Sequence, residues 1–470
     1  MVHDLLVIGG GIQGVAVARD AALRGLRVLL LERGDFASGT SSRSSKLIHG
    51  GIRYLETGQI RLVREALHER ALLLQLAPEY VRPLPFLIPH FAGEGRSAFT
   101  VGVGLKLYAM LAGGHPLAAH RSLTAQEALS LEPSLRPERL QGASLYWDAQ
   151  MDDALLCVAI AMAADRAGAL MKSYTEAVSL TPSSTAWAVR WRDVDTGEEG
   201  TAQAAAVVNA AGPWAEDIRA RAGITRRAGL RRTRGSHVVL PSLTKERALL
   251  LTARRDGRVF FVLPWGRFSL VGTTDVDDRT APESIGPTRE DIRYLLEEAA
   301  RAVPGLNGTP VRAFAGLRSL AQGSAIMPWA NSREHRILRE GSMLTLLGGK
   351  YTTHRSLAER VVDQVVRMTG VKAGRCITKE TPIEGRKLGE GVTEMDVASA
   401  VRNERARHLE DVLQRRSRLW LDAEAMRNAA DPVSRWMAPR LGWSDEVRAR
   451  EVKRVLEALL REKAIVEAAR

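Results

Sequence analysis

Two short runs near the start of the chain, Leu5 to Ile8 and Arg27 to Glu32, are almost wholly apolar, and between them Ile12 to Arg24 carries its apolar positions at helical spacing. Strand, helix and strand in that order make a β-α-β unit, and strands apolar on both faces predict a parallel sheet covered by helices. Arg61 to Leu76 places Leu62, Ala66, Leu67, Leu72, Leu73 and Leu76 on one side and reads as an amphipathic helix. Further on the period changes to two: Ala186 to Trp191, the turn Asp195-Thr196-Gly197 and Ala202 to Val208 read as a hairpin. Val238 to Leu240, Arg258 to Leu263 and Phe268 to Gly272 suggest a second sheet. Helical patterns follow at Arg289 to Val303, Thr353 to Val366, Val397 to Leu419 and Glu446 to Ala469. The charged tail beyond Lys372 carries no recognisable chemistry and reads as a packing or oligomerisation module.

With 470 residues, 45% of them hydrophobic, the chain has material for two or three domains, and 26% charged residues without long biased tracts argue against disorder. The net charge of +13 attracts anionic metabolites, acidic lipid and nucleic acid alike, so charge alone selects no partner. Aromatic residues make up only 5% and no nucleic-acid motif accompanies the basic cluster Arg226, Arg227, Arg231, Arg232 and Arg234; this cluster reads first as a solvated face, and nucleic-acid binding is not expected. Cys157 and Cys376 are too few for a disulfide framework or a zinc site, so no metal is expected, and they fit a reducing cytoplasm. Met1 to Asp4 lead straight into the first strand, leaving no room for a signal peptide. Phe99 to Gly113, interrupted by Lys106, falls short of the roughly 20 residues that span a bilayer and reads as a buried or half-buried helix.

Chemistry enters with Gly9-Gly10-Gly11-Ile12-Gln13-Gly14, a G-x-G-x-x-G placed after a strand and opening a helix, with Glu32 ending the next strand. Gly9, Gly11 and Gly14 permit the tight turn, Ile12 and Gln13 open the helix whose amides face a diphosphate, and Glu32 can accept from a ribose hydroxyl. Ala210, Gly212 and Trp214, in the small-residue stretch from Asn209, lie where backbone could approach the same cofactor. The motif alone does not separate FAD from NAD.

The run from Gly39 to Leu55, Gly-Thr-Ser-Ser-Arg-Ser-Ser-Lys-Leu-Ile-His-Gly-Gly-Ile-Arg-Tyr-Leu, resembles the signature of FAD-dependent glycerol-3-phosphate dehydrogenases in the D-amino-acid-oxidase-like superfamily. Tyr146-Trp147-Asp148, Asp152-Asp153-Ala154, Gly235-Ser236-His237, Gly272-Thr273-Thr274-Asp275, Gly316-Leu317-Arg318 and Gly348 to Thr353 recur in family order. The similarity covers roughly Asp4 to Ala358; Ser319 and Tyr351 depart from the pattern, and the tail is shorter than the family's helical domain. The resemblance implies an α/β fold: a discontinuous FAD-binding Rossmann-like domain (1–80, 142–215, 310–370), a mixed-sheet substrate domain (81–141, 216–309) and a short helical C-terminal domain (371–470). It implies FAD held also by Thr40, Ser41, Ser42, Ser45, Lys46, Leu47, His49, Ala177, Arg318, Gly349, Lys350, Tyr351 and Thr352. It further implies oxidation of glycerol 3-phosphate, a quinone as electron acceptor and a peripheral position on the inner face of the cytoplasmic membrane, and leaves a homodimer open.

Oxidising a secondary alcohol needs a hydride acceptor, a proton acceptor and cations for the phosphate. Arg318 and Lys350, with Arg53 and Tyr54, are the candidates for phosphate and reacting oxygen, since a guanidinium suits phosphate geometry. His49 and His237 are both candidate proton acceptors, and the sequence does not choose between them. Three other readings stay open: an oxidase of the same fold that makes hydrogen peroxide, a relative acting on another hydroxy acid or amine, and a cofactor-bound structural or regulatory protein.

Overall fold

The computed structural model describes residues 2–113, 117–226, 228–306, 309–321, 335–386, 388–389 and 391–469. Its first sheet has eight strands, and the two apolar runs at the N terminus form its centre: Val2–Ile8 lies parallel to both Val28–Leu31 and Glu199–Asn209. Alternation along Val2–Ile8 explains the double burial. Leu5 and Val7 pack with the helices Ile12–Leu23, Asp153–Arg166 and His354–Thr369, while Leu6 and Ile8 pack with Trp187, Val189 and Ile218 on the other face. The expected hairpin is present as Trp187–Asp193 and Glu199–Asn209. Because the sheet is parallel at its centre, Ile8, Leu31 and Asn209 share one register, and the chain turns out of the sheet at a common edge.

Among the described residues the second sheet has ten strands, built around Leu230–Pro241, which pairs with Phe268–Gly272 on one side and Arg312–Ala321 on the other. Leu140–Met151 pairs along its length with Val81–Phe91 in this sheet too. These strands cross the expected boundaries, which put 142–151 and 312–321 in the FAD-binding segments: their backbone ladders bind them to the second sheet. The two segments therefore carry residues from one sheet to the other.

The C-terminal region has its own apolar core, including Val397, Leu413, Met426, Val433, Met437 and Leu459. The helix expected over Val397 to Leu419 is instead a short helix, Glu394–Arg402, followed by a π turn over Asp411–Arg415. Local polar bonds win over helix continuation here: the Asp411 carboxylate accepts from the Arg407 and His408 amides, and Arg405 takes a positive φ of 58°. A helix not anticipated, Ala423–Leu441, contains Pro432 and Pro439 and is capped by Asp422. The apolar stretch expected to be at least half-buried is the helix Ala98–Leu111, but only Leu105 and Tyr108 are buried, and Phe99 and Met110 are 81% and 77% exposed. Among the described residues no helix is long and apolar enough to cross a membrane. The basic cluster is partly paired rather than solvated: Arg231 binds Asp277, and Arg234 binds Asp278 and Asp291. Arg227 lies outside the described residues.

Gly14 shows how tightly the first turn is closed. A Cβ there would stand 1.9 Å from the Gly9 carbonyl oxygen, a backbone atom with no room to retreat. Gly14→Ala should therefore lower stability by about 1–3 kcal/mol, as overpacking does, read as a lower urea midpoint; an unchanged midpoint would contradict the packing.

Candidate functional site

Where the parallel strands end, four turns meet. Gly9 takes a φ of 109°, and a Cβ on it would lie 2.7 Å from the Ala210 carbonyl oxygen, so the turns after Val2–Ile8 and Glu199–Asn209 touch through bare backbone. The Glu32 carboxylate accepts from the Gly10 amide at 2.5 Å and the Gly34 amide at 2.8 Å. Burial pushes its carboxyl above the usual range even so, with the two amides acting in the opposite sense. The helix Ile12–Leu23 begins at Gly11 with no side-chain cap and no acidic residue in its first turn. Its dipole thus faces the cavity edge without an acidic residue of its own first turn to offset it, as an anion cradle requires. Gln13 is fixed by its Nε2, which donates to the Gly348 carbonyl at 2.6 Å.

The loop from Gly39 crosses from this edge to the second sheet, and its side chains are already engaged. Ser41 Oγ accepts from the Ile12 amide at 2.9 Å, and Thr40 Oγ1 donates to the Leu317 carbonyl at 2.6 Å, tying the loop to the strand that carries Arg318. Ser45 Oγ lies 2.9 Å from His237 Nε2. Lys46 turns away: its buried ammonium pairs with Asp153 at 2.5 Å and sits 4.1 Å over the Trp420 ring. Ser42 Oγ is 3.4 Å from the Gly39 carbonyl. The His49 main chain is held on both sides by Thr352 Oγ1 at 3.3 Å.

Beyond the loop, one cavity of about 760 Å³ joins both halves of the expected site. Gly9, Gly11, Ile12, Gln13, Glu32, Thr40, Ser41, Ser45, Leu47, His49, Ala177, Ala210, Gly212 and Trp214 border it, and so do Arg53, Tyr54, His237, Arg318, Gly349, Lys350, Tyr351 and Thr352. Gly14, Ser42 and Lys46 do not: the first packs helix on strand, and the other two face the protein. At the second-sheet end, Lys350 Nζ stands 3.6 Å over the Tyr54 ring. The Arg318 guanidinium is oriented by the Gly272–Asp275 turn, donating to Thr274 O at 3.0 Å, Asp275 Oδ1 at 3.1 Å and Thr273 Oγ1 at 2.8 Å. His237, fully buried and stacked on Phe314, has its pKa driven well below the usual histidine value by burial first and by the Arg318 and Lys46 charges second.

Sequence reasoning did not single out Arg43, Arg258 and Phe261, which also border the cavity. Arg43 sits within the quoted loop run and Arg258 at the start of a predicted strand, so spacing gave no reason to separate them from their neighbours. Asp148, quoted only as part of a motif, is a buried anchor. It binds Arg70 at 2.6 Å, accepts from the Tyr108 hydroxyl and from the Gly50 amide at 3.3 Å, and so props the loop beside His49.

A glycine turn, the Glu32 carboxylate and the cations Arg53, Arg318 and Lys350 border one cavity, the arrangement of an oxidoreductase site that takes a dinucleotide. The chain belongs to the family described as FAD dependent oxidoreductase (DAO), which matches residues 4–349. Residues 341–448 match the C-terminal domain of alpha-glycerophosphate oxidase, so the likeness does not fade after Ala358 as expected but continues into the tail. The mitochondrial glycerol-3-phosphate dehydrogenase of Mesocricetus auratus is 38% identical over 406 residues, covering 82% of this chain and 55% of that protein. The chain thus spans little more than half the length of such mitochondrial relatives. The glycerol-3-phosphate dehydrogenase of Mycobacterium leprae is 33% identical, covering 96% of this chain and 86% of its own length. Among solved structures, the glycerol-3-phosphate dehydrogenase of Bacillus halodurans complexed with FAD superposes with a TM-score of 0.78 at 26% identity, covering 97% of this chain and 94% of its own.

The depressed pKa of His237 has a consequence for stability. The unfolded side chain titrates near pH 6.5, so below that the unfolded chain binds a proton that the folded chain refuses, and stability falls as pH falls, by up to about 1.4 kcal/mol per unit. His354, pushed down to about 4 mainly by burial, acts with the same sign. His237→Gln should flatten the loss of stability between pH 6.5 and 5 in denaturant titrations; an unchanged slope would show that the imidazole titrates normally.

Proposed function

We propose that the chain oxidises sn-glycerol 3-phosphate to dihydroxyacetone phosphate, using FAD and passing electrons to a quinone-type acceptor. The observation that carries this reading is the junction, in one cavity, of the Gly9–Gly14 cradle with Arg53, Arg318 and Lys350. The residues present fit the cofactor: Gly9, Gly11 and the helix start at Ile12 would take the diphosphate, and Glu32 a ribose hydroxyl. FAD, when bound, supplies the acceptor for the hydride leaving the alcohol carbon. The protein's own work is to hold the substrate and take its proton.

Arg318 is pre-oriented by three acceptors from one turn, so it loses little freedom on gripping a phosphate, and Lys350 over Tyr54 adds a point charge. Asp275 balances Arg318 before the substrate arrives. His49 is the proton acceptor in this reading. A base works best with a pKa near the working pH, and the depressed value of His237 makes it a weak one. His237 instead keeps Ser45 in place through its Nε2. An acceptor of quinone type, met by a cytoplasmic enzyme resting on the inner face of the membrane, is supported by the apolar outer face of Ala98–Leu111, where Phe99, Val103 and Met110 are exposed.

Steady-state kinetics test these roles. His49→Gln should lower turnover by about 10²- to 10⁴-fold and remove the acidic limb of the pH-rate profile, while His237→Gln should retain that limb. Arg318→Ala should raise KM for glycerol 3-phosphate and depress kcat together, by about ten-fold or more in kcat/KM for a lost charged hydrogen bond. An Arg318→Ala enzyme that behaves as wild type removes that residue from the site. Turnover that proceeds with oxygen, yielding hydrogen peroxide, and not with a quinone analogue overturns the acceptor half of the proposal.

A further inference from the structure

Behind the cofactor edge lies a buried ionic cluster that the mechanism above does not use. Asp35, three residues after Glu32, has a side chain wholly removed from solvent, and its carboxylate accepts from Arg415 Nε at 2.7 Å and from both terminal nitrogens of Arg416 at 2.6 and 2.8 Å. Both arginines come from the C-terminal π turn. Asp411, on that same turn and equally buried, binds Arg415 at 2.6 Å and accepts from the Tyr174 hydroxyl at 2.5 Å. Tyr174 in turn reaches the cofactor side through its main chain: its amide donates to the Gly34 carbonyl at 2.8 Å, and the next amide, Thr175, donates to the Glu32 carbonyl at 2.7 Å.

These bonds converge on one short loop, Arg33 to Ala37. Its Gly34 amide orients Glu32, and its Ala37 amide is tied to the Gly10 carbonyl at 3.1 Å. Buried ion pairs add little net stability compared with apolar packing, but several directed bonds on one carboxylate fix an orientation that apolar contacts would leave free. We propose that the turn Asp411–Arg416 is a positioning element for the cofactor. It grips Asp35 and Tyr174 from behind and so holds the loop that aims the Glu32 carboxylate into the cavity. The proposal rests on the reading that Glu32 binds FAD. It gives the C-terminal region a role at the site that apolar packing alone does not require.

The test uses the full chain stripped of flavin and titrated with FAD, reading the dissociation constant by flavin fluorescence and the melting temperature with and without FAD. Glu32→Gln and Arg416→Gln should each weaken FAD binding by about ten-fold or more, the weight of a hydrogen bond to a charged group. Arg416→Lys should recover part of the loss. Tyr174→Phe removes one hydroxyl and no charge, so it decides the matter if Arg416→Gln does not fold; it should weaken FAD by about three-fold or more, part of the weight of its bond to the Asp411 carboxylate. The double variant Glu32→Gln/Tyr174→Phe should bind no worse than Glu32→Gln alone, because both act through one carboxylate. A merely structural cluster would lower the melting temperature equally with and without FAD. If Glu32→Gln weakens FAD while Tyr174→Phe and Arg416→Gln leave it within two-fold, the positioning role is overturned and the Glu32 reading stands. If Glu32→Gln leaves FAD binding unchanged, the Glu32 reading fails and the proposal with it.

Discussion

One half-buried carboxylate organises the site. Glu32, at the end of an apolar strand, accepts two backbone amides at once, from Gly10 on the glycine turn and Gly34 on its own loop. A carboxylate taken out of water is costly unless such donors meet it. The parallel register of the first sheet places those donors there: Ile8 stands opposite both Leu31 and Asn209, so the turns that follow must crowd together. From that crowding come the bare backbone contact at Gly9 and Ala210, the closed packing at Gly14, and an edge at which a diphosphate can meet a helix start.

The second half of the site is electrostatic, and it is delivered by strands of the other sheet. Leu230–Pro241 and Arg312–Ala321 lie side by side, so that Thr233 faces Arg318 and His237 faces Phe314. Thr40 ties the loop from Gly39 to the same strand through the Leu317 carbonyl. The cationic pocket and the dinucleotide edge thereby share a direct tie through Thr40. The positive charges are placed with restraint: Arg318 has Asp275, Lys46 has Asp153, and burial beside those cations disfavours a further charge on His237.

How much of this was legible in the sequence depends on how local the cause is. The β-α-β unit, the glycine turn and Glu32 follow from short-range pattern and chemistry, and they stand where the pattern puts them. The hairpin before Asn209 and the helix after Thr353 are legible for the same reason. What sequence spacing does not show is direction. Lys46 lies in a run whose neighbours face the cavity, yet its ammonium turns to Asp153 and Trp420, residues 107 and 374 positions away, which no local pattern reports. Sheet membership of 142–151 and 312–321 is likewise set by distant partners. The tail from Val397 has helical composition, but Arg415 and Arg416 direct their guanidinium groups to Asp35, Arg415 also to Asp411, and these distant bonds break the helix that composition alone would favour.

The central claim is that this cavity brings a flavin and an anionic alcohol together under the hold of Arg53, Arg318 and Lys350. Anaerobic titration of the FAD-loaded protein with sn-glycerol 3-phosphate tests it most directly. The account predicts stoichiometric loss of the oxidised flavin's visible absorbance with one dihydroxyacetone phosphate formed per flavin, and no comparable bleaching by unphosphorylated glycerol. A flavin that stays oxidised in excess glycerol 3-phosphate, or that glycerol reduces equally well, would contradict it.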